Sequence, residues 1–187
     1  MDFMLNVRNI VLASALLMAG TMPGQANCDN SSLSGVYPFV ASGLTVGIYD
    51  SSNVLHPLTP PQPLSSVGQY TFDGQGNFTR IDYNVGNGVP ANNASTPVNE
   101  SGFRTGQTGT YSIAEDCTGT ISLAVNGAMI QLQVVVVDFG ESARAIVASE
   151  HVPGFANPPP GTDCSAGCNE GVNILVDLKK DVYHRSH

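Results

Sequence analysis

The sequence predicts an all-β fold, an eight-stranded antiparallel up-and-down barrel, with a β-sandwich of similar strand count as the alternative. Three observations lead there. The composition is rich in Gly, Ser, Thr, Asn and Val, which favours strands and turns over helices. Apolar and polar residues alternate with a period of two in run after run. Those runs are separated by short turn signals rather than long connections, so successive strands form a meander. Closing such a meander removes the edge strands that a sheet-rich chain must otherwise protect.

The clearest hairpin joins Val67–Phe72 to Phe78–Val85 through Asp73-Gly74-Gln75-Gly76-Asn77. Asp-Gly and Gly-Asn enter positive φ readily and suit a tight reversal. A second hairpin joins Gly106–Ile113 to Cys117–Val125 through Ala114-Glu115-Asp116. Asn126-Gly127 turns the chain into Ala128–Val137, and Asp138-Phe139-Gly140-Glu141 turns it into Ser142–Glu150. Further strands are expected at Gly35–Tyr49, broken near Gly43, and at Val172–Leu178. A short C-terminal helix has no capping residues to support it.

Three segments resist regular structure. Leu55–Leu64 carries Pro57, Pro60, Pro61 and Pro63, which remove ladder donors and exclude a sheet interior. Asn87–Asn99 is a polar loop, and Pro153–Gly171 holds Pro158-Pro159-Pro160 and two cysteines. All three are expected as rim loops of one domain spanning residues 27–187.

Residues 1–26 read as a secretory signal peptide. Arg8, offset by Asp2, precedes an apolar run from Ile10 to Ala19. Met22-Pro23-Gly24 breaks any helix, and Gly24-Gln25-Ala26 supplies small residues for cleavage after Ala26. The run is too short to span a bilayer, which takes about 20 apolar residues. No span is expected in the mature chain. Asn27 separates Ala26 from Cys28, which argues against lipidation. A secreted or periplasmic location follows.

The net charge is −8. Losing residues 1–26 removes one charge of each sign and leaves it unchanged. Such a balance argues against nucleic acid and against anionic membrane surfaces, both of which need basic patches. All four cysteines, Cys28, Cys117, Cys164 and Cys168, fall in the mature part. An even count in an exported chain reads as disulfides, with three pairings allowed. The favoured pairing closes a small loop with Cys164–Cys168, so that Cys28–Cys117 ties the N-terminal segment to a central strand. A lone C-x3-C without a second matched pair is weak for zinc, so no metal is expected.

Val67–Tyr83, with its G-x-Y-T-F-D-G-x-G-N-F-x-R pattern, and Gly109–Ile121 together resemble a group of exported bacterial domains similar to the allene oxide cyclase and dirigent barrels. Leu33–Phe39 fits their opening strand. The resemblance covers most of Leu33 to Val152. It implies a calycin-like eight-stranded barrel with an apolar central cavity. Plant members of the wider group bind small hydrophobic molecules or guide their cyclisation. None of their catalytic residues matches a position in this chain, and a shared fold does not carry function across.

No nucleophile elbow, H-E-x-x-H, phosphate-cradling loop or dinucleotide fingerprint occurs, and no cofactor is expected. The candidate chemistry is therefore scattered. Arg80, Asp82 and Asn84 share a strand face with Phe78. Turned inward, Arg80 and Asp82 would place charge in an apolar cavity. The ordinary pattern of a half-buried strand instead puts Ile81, Tyr83 and Val85 inside and the polar set outside, and this is the arrangement expected. Arg144 and Glu150 fall on one face of their strand and read as surface residues. His151 follows at the strand end, where a histidine can serve as acid or base near neutral pH, but before Pro153 it reads as a loop residue. His56, before Pro57, reads as a loop residue, and His184 and His187 belong to a frayed tail.

Two classes of function follow from this pattern. One is a binding barrel for a small hydrophobic ligand, or an interaction module. The other is a cyclase or isomerase acting on such a molecule inside the barrel. Cavity volume and the presence of a buried ionisable group separate them.

Overall fold

A computed structural model describes residues 27–90 and 97–181 of the chain. Residues 1–26, expected as a signal peptide, the polar stretch 91–96 and His184 and His187 lie outside the described residues. The fold is the expected barrel. The strands are β1 (Ser34–Tyr49), β2 (Leu55–Asp73), β3 (Asn77–Gly86), β4 (Val89–Pro90), β5 (Arg104–Ile113), β6 (Thr118–Val125), β7 (Ala128–Val137), β8 (Ser142–Val152) and β9 (Cys168–Lys179). Eight of them close into a ring in the order β2-β1-β9-β8-β7-β6-β5-β3, with β3 pairing back onto β2. The short β4 pairs only with the end of β3.

The turn chemistry works as the sequence suggests. Asp73 Oδ1 accepts from the backbone N–H groups of Gln75 and Asn77 at 2.7 and 2.9 Å. Gly74 and Gly76 take φ of 77° and 109°. Tyr70 pairs with Arg80 and Tyr111 with Ile121, so both anticipated hairpins are formed. The cysteines pair as Cys28–Cys117 and Cys164–Cys168. Cys117 sits in the β5–β6 turn at φ 67°, however, and not on a central strand.

One expectation about a loop is overturned. The proline-rich stretch Leu55–Leu64 is not a loop but the first half of β2, paired with β1 from Tyr49↔Leu55 to Gly43↔Leu64. Partner strand β3 begins to pair with β2 only at Leu64. Residues 55–63 therefore form an edge, where a proline lacking its N–H leaves no sheet neighbour unsatisfied. The loop before β9 is also shorter than expected, since β9 begins at Cys168.

The interior is divided along its length. At the end formed by the β2–β3, β5–β6 and β7–β8 turns, Tyr37, Phe72, Phe78 and Tyr111 are buried together. Ring centroids lie 5.0–5.7 Å apart for Tyr37–Phe72, Phe72–Phe78 and Phe72–Tyr111. Leu33 is fully buried against them, and the Tyr111 hydroxyl donates to the Leu33 carbonyl at 2.8 Å. The other end is lined by ionisable and polar side chains.

Candidate functional site

The polar end is built mainly by β3, β5, β8 and β9, with two irregularities. Along β3, Phe78, Arg80, Asp82 and Asn84 all point into the barrel. This corrects the expectation that Arg80 and Asp82 lie outside. Asp82 is fully buried and Arg80 is 8% exposed. On β5 the register against β3 slips: Arg80 faces Gln107 and Asp82 faces Arg104, so three β5 steps span two on β3. The extra residue is accommodated at Gly106, whose φ of 72° suits a bulge. The bulge turns both Arg104 and Gln107 inward, although strict alternation would send one of them out.

Asp82 is the hub of this cluster. It accepts from Arg104 Nε and Nη2, both at 2.7 Å, from Gln107 Nε2 at 2.7 Å, and from Arg80 Nη2. Asn84, with its amide nitrogen turned inward, donates to Asp82 Oδ2 at 3.2 Å and accepts from Arg104. Burial alone would raise the Asp82 carboxyl. The Arg104 hydrogen bonds, the charges of Arg80 and Arg104 and the Gln107 amide outweigh it and hold the group below its ordinary value. Asp82 is thus a carboxylate with donors on both oxygens that favour its ionised form.

Arg80 is held from several sides. Its guanidinium lies 4.9 Å from the Phe39 ring centroid and 5.3 Å from that of Tyr70. Its Nη1 donates to the Tyr70 hydroxyl at 3.2 Å. Gly68, opposite Asp82, makes room for this stack, because a Cβ there would come within 2.7 Å of the Phe39 ring. Two buried atoms of the cluster have no partner among the described residues, Arg80 Nε and Gln107 Oε1.

The second irregularity is on β8. Pairing runs from Ile146↔Leu175 to Glu150↔Glu170, an uneven step, and Ala148 and Ser149 are both exposed. Arg144 and Glu150 therefore do not share a face, contrary to the sequence reading. Arg144 is 82% exposed and stands 3.8 Å from the equally open Asp177, a surface pair of little energetic weight. Glu150 points inward and meets Glu170 directly across the β8–β9 pair. Thr45, buried on β1, donates to Glu170 Oε2 at 3.4 Å. Burial, then the neighbouring Glu150 charge, push the Glu170 carboxyl up to about 7. Burial also raises Glu150, against the opposing pull of Arg80.

His151 follows on the outer side, with Nδ1 2.9 Å from Asn169 Oδ1. His56 sits apart, with Nε2 2.9 Å from Asp50 Oδ2. Arg80, Asp82 and Glu150 thus come together, His151 stands beside them at the rim, and Arg144 is remote. Arg104, Gln107, Glu170 and Thr45 escaped the sequence reading. The one available signal was Arg104 two residues before a glycine, in a chain with 7 Lys and Arg residues.

Two spaces adjoin this cluster. A small inner cavity of about 50 Å³ is lined by Arg80, Ser66, Tyr70 and Glu150 with apolar neighbours such as Leu132 and Val147. A wider cleft of about 700 Å³ is lined by Tyr49, Met129, Ile130, Val172, His151 and the two glutamates, among others. Ile130 and Glu150 border both. The inner space is far smaller than the apolar central cavity that the family resemblance implies, because aromatic rings fill one half of the barrel and the Asp82 cluster much of the other. Among the described residues no group of side chains is arranged to hold a metal ion, and no helix is long and apolar enough to cross a membrane. Comparison with the models of known protein families, with curated proteins and with solved structures finds no match.

Proposed function

We propose that this barrel binds a small, largely apolar molecule at its polar end, in the cleft beside Glu150 and Glu170. The observation that carries this reading is the division of space. The interior leaves about 50 Å³, enough for a few atoms, whereas the cleft offers about 700 Å³, within the roughly 300–1,000 Å³ range of ligand sites. Its walls combine Tyr49, Ile130, Val172 and the well-exposed Met129 with polar groups, among them Gln131, His151, Asn169 and the two glutamates, that could fix orientation. Export through residues 1–26 belongs to the same reading, and two disulfides are compatible with an extracellular or periplasmic setting.

Titration with the neutral fluorophore N-phenyl-1-naphthylamine tests it. Saturable one-to-one binding with enhanced emission is expected, weakened roughly tenfold by Met129→Asp, which sets a charge in the apolar wall. Absence of saturable binding, or indifference to Met129→Asp, would overturn the reading.

A second reading is an isomerase, and Glu170 favours it. A carboxyl raised to about 7 is suited to give and take a proton near neutral pH. Catalysed exchange of the α-protons of a simple ketone in D2O, abolished by Glu170→Gln, is the expected sign. Exchange no faster than in buffer would rule this activity out.

A further inference from the structure

The inner cavity has a chemical asymmetry that the cleft lacks. Its walls are mostly apolar, among them Leu64, Leu132, Val147 and Ile174, but Arg80 also lines it, with Ser66, Asn84 and Glu150. Arg80 is more than nine-tenths buried, and its Nε is the guanidinium donor that no protein group accepts. Leaving a buried charged donor unmade costs more than a neutral one, so this N–H would gain from an acceptor that the described residues do not supply. Ile130 and Glu150 line both the cleft and this cavity. Its volume suits a head group of a few atoms and excludes a whole ligand.

Charge decides which head group. Arg80 and Arg104 face the Asp82 carboxylate, and Glu150 and Glu170, both raised by burial, supply one further negative charge when one of the two is protonated. The buried set is then neutral. A carboxylate ligand would add an unpaired charge, and an ammonium head would be set against Arg80. A neutral oxygen acceptor disturbs nothing.

Building on the binding reading above, we propose that the ligand carries a neutral carbonyl oxygen that accepts from Arg80 Nε, while its apolar body lies in the cleft. The ligand class is thus an aliphatic or aromatic ketone, aldehyde or amide. Glu150 and Ile130 form the collar through which the head passes.

The test uses 2-octanone labelled with carbon-13 at the carbonyl, its isostere 2-methyl-1-octene, and octanoate, each added to the full protein. Bound ketone should show a carbonyl resonance several ppm downfield of its position in an aprotic solvent. Arg80→Lys keeps a positive charge beside Asp82 but removes Nε. It should weaken the ketone roughly tenfold or more and leave the alkene unchanged. Ile130→Trp, which narrows the collar without touching Arg80, should abolish the downfield signal in a protein that still unfolds cooperatively. The proposal fails if the wild-type bound carbonyl stays at its aprotic position, or if octanoate binds more tightly than the ketone. It also fails if Arg80→Lys weakens ketone and alkene alike. Should Arg80→Lys not fold, the wild-type resonance and Ile130→Trp still decide. Binding of ketone and alkene without the downfield signal would leave the cleft reading intact and overturn this one. Failure of all three probes to bind the folded protein would overturn both.

Discussion

The two ends of the barrel are made by the same strands and obey the same alternation, yet they are held by different physics. β3 contributes Phe78 to one end and Arg80, Asp82 and Asn84 to the other. β2 contributes Phe72 to one and Ser66 to the other. At the aromatic end, four rings and Leu33 fill the space, and the Cys28–Cys117 bridge fastens the N-terminal segment over it. Burial there is its own reward, because apolar area leaves water and close packing adds dispersion. At the polar end, burial of charge is unfavourable, and only the Asp82 cluster makes it tolerable. The contrast assigns roles. The aromatic end carries stability and leaves no room, while the polar end gives up some stability and keeps space with unsatisfied chemistry.

The comparison can be broken at three points. The largest effect is expected at the aromatic end. The Cys28–Cys117 bridge spans 89 residues, and the chain-entropy model gives its loss a cost of about 4–5 kcal/mol, against about 2 kcal/mol for the short Cys164–Cys168 loop. Urea denaturation of the Cys28→Ala/Cys117→Ala and Cys164→Ala/Cys168→Ala variants should show this order. The reverse order would mean that the loop before β9, not the aromatic plug, fastens the fold.

At the polar end, Asp82→Ala should cost about 3–5 kcal/mol, because it leaves Arg80 and Arg104 facing each other without a counter-charge. The triple variant Arg80→Met/Asp82→Leu/Arg104→Met should recover most of that loss in the same urea measurement. A triple variant as unstable as Asp82→Ala would mean that the charges themselves, and not just their pairing, hold this end together.

The third effect depends on pH. The Glu170 carboxyl is raised from 4.5 to about 7 in the folded protein, so the folded state binds its proton more tightly than the unfolded chain. Its stabilisation is complete below pH 4.5 and is lost as pH rises through 7, a decline of about 2 kcal/mol once partial solvent exposure is allowed for. Glu150, also raised, acts in the same sense. Asp82, lowered from 3.8, acts in the opposite one: its contribution is present above that value and lost as pH falls further. Stability should therefore peak near pH 4–5. Glu170→Gln should flatten the fall between pH 4.5 and 7.5. A wild-type urea midpoint that rises over that interval would contradict a buried carboxyl pair at this end.

Much of the architecture was legible in the residues. Asp73-Gly74 and Asn126-Gly127 fix reversals locally, since Gly74, Asn126 and Gly127 each adopt positive φ within the turn itself. On β7 and β9 alternate apolar residues share the inner face, and Leu132, Val134, Val136, Ile174, Val176 and Leu178 are buried accordingly, while Val135 and Leu175 face outward. The site was much less legible. Arg80 and Asp82 read as an ordinary solvent face, because nothing on β3 reveals that Arg104 and Gln107 wait across the pair. Glu150 read as a companion of Arg144, because a bulge has no fixed signature in a run such as Ser142–Glu150. The prolines of Leu55–Pro63 read as a loop, because only the length of the neighbouring strand makes that segment an edge.

The chain by itself thus determined its strands, its turns and the faces of its regular runs, since alternation and turn geometry act between residues a few positions apart. Which polar residues enter the barrel was decided in three dimensions. A bulge shifts every later side chain to the opposite face, and a buried charge is stable only where partners from distant strands converge on it. Asp82 meets Arg104 and Gln107 across β3 and β5, and Glu150 meets Glu170 across β8 and β9. Those meetings exist only once the ring of strands has closed.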